Sequence, residues 1–221
     1  MAKIQTLIRK IEERYGMELP DAYVDMMSRG WLQWSEAKRP FRNVGPESPM
    51  FSLCLPDMEW LQLPRIVDFT HPKYAIDRFV PFAHDGGGAK WSWDPKRKDK
   101  SGVSVVYLPN DFEMARVYAP NFISALYRQA LDFAQFCEGE DESRASLALW
   151  CNCFTPYFPK PWIDRMKKIQ SAPYVAKERQ GWGSLLTDKD HRKILRTDLE
   201  LPEKDVEFKW HKPRSQWDSY Q

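Results

Sequence analysis

The stretch Phe79-Val80-Pro81-Phe82-Ala83-His84-Asp85-Gly86-Gly87-Gly88-Ala89-Lys90-Trp91-Ser92-Trp93-Asp94 decides the fold. Its first six residues are an apolar run of strand length. Asp85 and three glycines then supply residues that tolerate the positive φ of a tight turn. From Ala89 the chain alternates strictly, so Trp91 and Trp93 share one face. Pro81 has no N–H to give to a ladder, which places an edge or a bulge at that point. A third strand follows at Val103-Ser104-Val105-Val106-Tyr107-Leu108, and Pro109-Asn110-Asp111 turns the chain so that Phe112–Tyr118 returns. Residues 79–118 therefore read as an antiparallel meander, with Pro95 through Gly102 as a charged loop.

Helical period appears on both sides of it. Ile4, Leu7, Ile8, Ile11 and Tyr15 form one stripe among Arg9, Lys10, Glu12 and Glu13, and Gly16 is placed to end that helix. Leu19-Pro20-Asp21 opens a second helix with Val24 and Met27 inward, closed by Gly30. Residues 31–63 carry Pro40, Pro46, Pro49 and Pro56, and read as irregular with one strand near Phe51–Leu55. Phe122, Leu126, Ala130, Phe133 and Cys137 make a further helical stripe. Beyond the acidic run at 138–142, short helices are expected at Ser143–Cys153 and from Pro161. Thr187-Asp188-Lys189-Asp190 resembles a capping box, and Val206–Trp210 alternates like a last strand. The fold class expected is α+β, a mostly antiparallel sheet packed with helices. Residues 1–137 form the α+β domain, and residues 138–221 a mainly helical C-terminal extension docked on it.

Composition narrows the function classes. In 221 residues, 33 Lys+Arg stand against 31 Asp+Glu, a net charge of +2. A general nucleic-acid binder carries a clear basic excess. No apolar run approaches the about 18 residues of a membrane helix, and the N-terminus has no apolar signal region, so a cytoplasmic location is expected. Cys54, Cys137, Cys151 and Cys153 are expected as reduced, mostly buried thiols, since a domain of this length builds its own core. The four histidines stand alone, and no pair of close cysteine pairs occurs, so neither a metal nor a cofactor is expected.

Catalytic signatures are equally scarce in the sequence. Gly86-Gly87-Gly88-Ala89-Lys90-Trp91 lacks both the spacing and the hydroxyl of G-x-x-x-x-G-K-S/T, and it precedes a strand rather than a helix. No G-x-S-x-G and no H-E-x-x-H occurs. His84 and Asp85 are strand neighbours that point to opposite faces. Lys96-Arg97-Lys98-Asp99-Lys100 is the densest basic cluster, and with Trp91 and Trp93 as stacking platforms it would resemble a single-strand reader. A solvated hairpin tip, or a surface for an acidic protein, fits the same residues.

The order of pieces resembles a known family. Ile11-Glu12-Glu13-Arg14-Tyr15-Gly16-Met17-Glu18-Leu19-Pro20-Asp21-Ala22-Tyr23, then Gly30, then Phe79 through Gly88, Val105-Val106-Tyr107 and the helix at Phe122–Leu131 are similar to the SUKH superfamily. The likeness covers about residues 4–137, and Pro161 to Trp210 is similar to the tail of longer members. Trp31 to Leu63 has no clear counterpart. The namesakes are fungal regulators of cell-wall assembly, and many bacterial members are similar to immunity proteins of polymorphic toxin systems.

The resemblance implies no catalytic residues. It implies a non-enzymatic protein that binds a cognate toxin domain, delivered by a contact-dependent, type VI or Rhs-type route, and occludes its active site. A regulatory scaffold for endogenous partners is the alternative, and a nucleic-acid-binding module the second. Interface energy concentrates in Trp, Tyr and Arg anchors. With 10 Trp and 9 Tyr, some aromatic residues are expected at the surface. The partner-binding candidates are Trp31, Trp34, Asp85, Trp91, Trp93, Lys96, Arg97, Lys98 and Lys100. The near-neutral charge favours a toxin without a strongly basic site, such as an ADP-ribosyltransferase or a peptidase.

Overall fold

A computed structural model describes residues 2–32, 46, 53, 55, 58–72, 75–110, 113–177, 181–202 and 206–211. The first helix, α1 (Ala2–Tyr15), buries Ile8 and Ile11, half-buries Ile4, Leu7 and Tyr15, and ends at Gly16 with φ +63°. Glu12 then accepts a hydrogen bond from the Leu19 N–H at 2.9 Å, which fixes the bend into α2 (Asp21–Ser28). Pro20 is the residue before α2 rather than its first turn: its ψ of 132° is still extended. Tyr23, Met26 and Met27 are the buried face of this helix.

The strand expected near Phe51–Leu55 falls mostly outside the described residues. Within that stretch only Leu53 and Leu55 are described, and Leu55 makes a single bridge to Met58. The pairing strand is β1 (Glu59–Trp60), followed by the short helix α3 (Leu63–Val67), which five residues are too few to announce by periodicity. Arg14 ties α1 to this segment by donating to the carbonyls of Val67 and Phe69.

The meander is present as β2 (Val80–His84), β3 (Lys90–Asp99), β4 (Gly102–Leu108) and β5 (Met114–Ala119). With β1 on one side and β9 (Glu207–Lys209) on the other, it forms a six-stranded antiparallel sheet in the order β1-β2-β3-β4-β5-β9. The register shifts between Pro81 and Ala83, so the proline is accommodated by a bulge. Residues 95–99, expected in a loop, extend β3 instead. Asp94 explains this: it is fully buried, its carboxylate lies 2.8 Å from Arg78 and 3.3 Å from Arg97, and it accepts the Lys96 N–H. The two guanidiniums lie over the rings of Phe79 and Phe208. A buried carboxylate is tolerated only when its charge is matched, and here two cations match it.

Along the chain follow α4 (Phe122–Gln135), β6 (Cys137–Glu138), α5 (Glu140–Phe154), α6 (Lys160–Gln170), β7 (Val175–Ala176), β8 (Trp182–Ser184) and α7 (Asp188–Asp198). Asn121 caps α4 by accepting the Ser124 N–H, and Thr187 caps α7 by accepting that of Asp190. The acidic residues 140–142, expected as a solvated junction, form the first turn of α5, where the helix dipole favours them. A small sheet in the order β6-β8-β7 was not foreseen, because two- and three-residue strands carry no period. One continuous core runs from Ile8 to Leu199 and includes residues on both sides of position 137. Tyr127 donates to Asp198 at 2.8 Å, and Tyr157 donates to Asp25, so both halves share polar ties as well. A smaller cluster on the other face of the sheet joins Phe79, Val106, Leu108 and Trp210. No helix among the described residues is long and apolar enough to cross a membrane.

Two predictions follow from this packing. Trp93→Ala is expected to cost about 3–5 kcal/mol in urea unfolding, because it empties the centre of the core. Lys96→Ala, on an exposed side chain, is expected to stay within about 0.5 kcal/mol. His71 supplies a pH dependence. Burial holds its pKa below the usual histidine value, against the opposing charge of Asp77. The unfolded chain therefore takes up this proton more readily than the folded one. Stability present above about pH 6.5 is lost as pH falls toward the folded-state pKa. Melting temperature should drop across that window, and less steeply in His71→Gln.

Candidate functional site

One row of paired residues crosses the whole sheet: Trp60, Ala83, Trp91, Tyr107, Arg116 and Glu207, from β1 to β9. Residues directly opposite in adjacent strands share a face, so this row places Trp91, Tyr107 and Arg116 side by side. The rings of Trp91 and Tyr107 meet edge-on at 5.0 Å, and the Arg116 guanidinium lies 5.1 Å above the Tyr107 ring. These residues line a cleft of about 500 Å³. The Asp85–Gly87 turn closes one side. The other wall is α4, through Gln129, Asp132 and Phe133, with Phe136 just beyond its end.

The turn is built by its aspartate. Asp85 Oδ1 accepts the N–H groups of Gly87 and Ala89, both at 2.9 Å, and Oδ2 accepts the Tyr107 hydroxyl at 2.9 Å. Gly88, with φ +88°, completes it. Lys90 donates to the Gly88 carbonyl, and burial pushes its pKa down while the Asp85 charge pulls it up.

Asp132 anchors the opposite wall. It accepts the Tyr118 hydroxyl at 2.7 Å on one oxygen and faces His191 Nε2 at 2.7 Å with the other. Gln129 donates to the Tyr118 oxygen, and Arg128 donates to the Tyr118 carbonyl while stacking on its ring. Burial, then the charge of Asp132, holds the Tyr118 phenol well above its usual pKa, so it remains a donor. Phe136 stacks on Trp182 at 4.5 Å and is 44% exposed at the cleft mouth. The cleft thus offers two carboxylates, one guanidinium and an aromatic floor to a polar partner.

The polar groups of the cleft are bonded to one another. The hydroxyl beside the His191–Asp132 pair is that phenol. Cys137, Cys151 and Cys153 are buried free thiols, and burial raises the pKa of Cys151 and lifts that of Cys153 to about 12. A thiol so placed is a poor nucleophile. No cluster of His, Cys, Asp or Glu suited to a metal occurs among the described residues.

The sequence candidates separate. Trp31, Trp91 and Trp93, expected as surface anchors, are buried, with exposures of 5%, 4% and 0%, and Trp91 lies in the cleft floor. Trp93 packs on Tyr23, Phe82 and Phe122, and the Trp31 indole donates to the Pro46 carbonyl. Trp34 lies outside the described residues. Asp85 borders the cleft. Arg97 is held by Asp94 and Phe208, whereas Lys96, Lys98 and Lys100 are exposed. Lys98 pairs with Val103, four residues along β4 from the Tyr107 that faces Trp91, about 13 Å away, and none of these lysines lines the cleft, so the tip and the cleft are separate places. Lys98 borders a different hollow, with Glu18, Asp21 and Trp162.

A model of the SMI1 / KNR4 family (SUKH-1) matches residues 5–128. The chain belongs to this family. No curated protein and no solved structure matches it. The SUKH-1 match carries the sheet row from Trp60 to Arg116, Asp85 and Tyr118, but ends just before Gln129. The wall formed by Gln129, Asp132, Phe133 and Phe136, and the His191 that faces Asp132, therefore lie beyond the matched segment.

Arg116, Tyr118, Gln129, Asp132, Phe136 and His191 were not among the sequence candidates. Arg128, Gln129 and Asp132 interrupt an otherwise apolar helix, which was the available signal. Asp132→Ala should cost about 1–3 kcal/mol in chemical denaturation, because the buried Tyr118 hydroxyl and His191 lose their shared acceptor.

Proposed function

We propose that this SUKH-1 protein is a non-enzymatic, cytoplasmic immunity protein that binds a cognate toxin domain and occludes its active site. Membership of the family over residues 5–128 carries the reading. Two surfaces are available to a protein partner: the polar cleft with Asp85, Arg116, Asp132 and exposed Phe136, and the hairpin tip with Lys96, Lys98 and Lys100. An exposed aromatic beside an arginine is the kind of anchor on which interfaces concentrate their energy. Three lysines at a hairpin tip steer an acidic surface and mainly raise the association rate. The net charge of +2 favours a toxin without a strongly basic site, such as an ADP-ribosyltransferase or a peptidase. The single-strand reader loses its support, because the two tryptophans needed as stacking platforms are buried.

The test is a pull-down with the C-terminal domain of the nearest large secreted protein, paired with growth rescue. A one-to-one complex with rescue is expected. Arg116→Glu with Phe136→Ala should weaken it at least tenfold, about 1.4 kcal/mol. Replacing Lys96, Lys98 and Lys100 by Ala should slow association at low salt. Absence of both binding and rescue would overturn the immunity reading in favour of a regulatory scaffold with endogenous partners.

A further inference from the structure

A second hollow, of about 630 Å³, lies between α6, α7 and the small sheet, and shares no residue with the cleft. Its floor is aliphatic: Ile169 from α6, Ile194 from α7, and Leu185 and Leu186 between them. The N–H groups of Leu185 and Leu186 both donate to the Ala134 carbonyl, so this floor is pinned to α4. Val175 stands at the border on β7, one of the two edge strands of its sheet, and is 56% exposed. An exposed valine against an aliphatic hollow is apolar surface left uncovered by the described residues.

The rim is positive. Lys168 on α6 and Lys193 on α7 are exposed, and neither makes an ion pair among the described residues. Arg165 is already held by Asp198 at 2.7 Å. The acidic lining residue, Asp190, sits in the first turn of α7 and takes the Thr187 hydroxyl. An occupant thus meets an apolar floor between two uncompensated ammonium groups. A second copy of the same hollow would bring like charges together, and a basic segment would be repelled.

We infer that this hollow docks an acidic amphipathic segment of a partner protein, with aliphatic or aromatic side chains in the groove and carboxylates on Lys168 and Lys193. A segment that lays one apolar stripe into a groove is an established mode of peptide recognition. All the lining residues lie outside the stretch 5–128 that matches the family.

The probe is a phage-displayed library of random peptides of about 12 residues, panned on the full chain with Lys168→Glu/Lys193→Glu as counter-selection. The enriched peptides are expected to combine Leu, Ile or Phe with flanking Asp or Glu. A synthetic copy should bind the double variant at least tenfold more weakly. It should also weaken between about 50 and about 300 mM salt. Val175→Asp, at an exposed position that leaves the core intact, should cause a similar loss. No enrichment, enrichment of basic peptides, or undiminished binding by both variants would overturn the proposal. So would binding confined to anionic phosphatidylglycerol vesicles, which would make the hollow a membrane contact. Rescue by the toxin assay does not depend on this outcome, since the cleft and the tip are left unchanged.

Discussion

The indole of Trp93 has no freedom to be anywhere else. Its ring lies 4.8 Å from Tyr23, 4.5 Å from Phe82 and 6.0 Å from Phe122, so α2, β2 and α4 meet on a single side chain of β3. Edge-to-face and tilted contacts of this kind add specific geometry to plain burial. Once α2 and α4 are seated there, the helix face of the sheet is settled, and Trp91, two residues back, must look the same way. The cleft is a consequence: it opens where α4 leaves the sheet beside Tyr107 and Arg116, next to the turn that Asp85 closes.

Much of this was legible from residue spacing. The meander was written in alternation, and α1, α4, α6 and α7 in helical period. The C-terminal strand was visible in five residues, Val206–Trp210. What failed has physical reasons. Residues 95–99 look like a solvated loop because they are charged, but Lys98 and Asp99 pair with Val103 and Gly102 of β4, and in the irregular stretch before them Asp94 accepts the Lys96 N–H and faces Arg97. The three tryptophans assigned to an interface illustrate a limit of composition. Aromatic residues dominate cores and interfaces alike. Of the eight tryptophans described, none is exposed. The cleft was half legible: Asp85 marked the turn, but Asp132 and His191 are 59 positions apart and only the fold brings them together.

A repeated device holds the distant parts in place. Tyrosine hydroxyls donate to aspartates at Tyr107–Asp85, Tyr118–Asp132, Tyr127–Asp198 and Tyr157–Asp25. Each joins two elements that hydrophobic contact alone would leave free to slide. Because Tyr127–Asp198 and Tyr157–Asp25 cross position 137, the C-terminal helices are wired into the family-matched part rather than appended to it. The cleft uses the same arrangement, with one wall from the matched segment and the other from residues beyond it. A binding surface built in this way can change its α4 wall while the sheet beneath stays as it is.

The outermost strand of the large sheet comes from the far end of the chain: β9 at 207–209 covers the edge of β5 at 114–116. During synthesis, at roughly 5–20 residues per second, β5 leaves the ribosome several seconds before its cover exists. Through that interval the nascent sheet presents a bare row of N–H and C=O groups, the template on which strands of neighbouring chains assemble. Arg116 at the centre of that row is a charge in the place where such templates are usually blunted, and the late arrival of β9 makes it a guard for the unfinished molecule as well as part of the finished one.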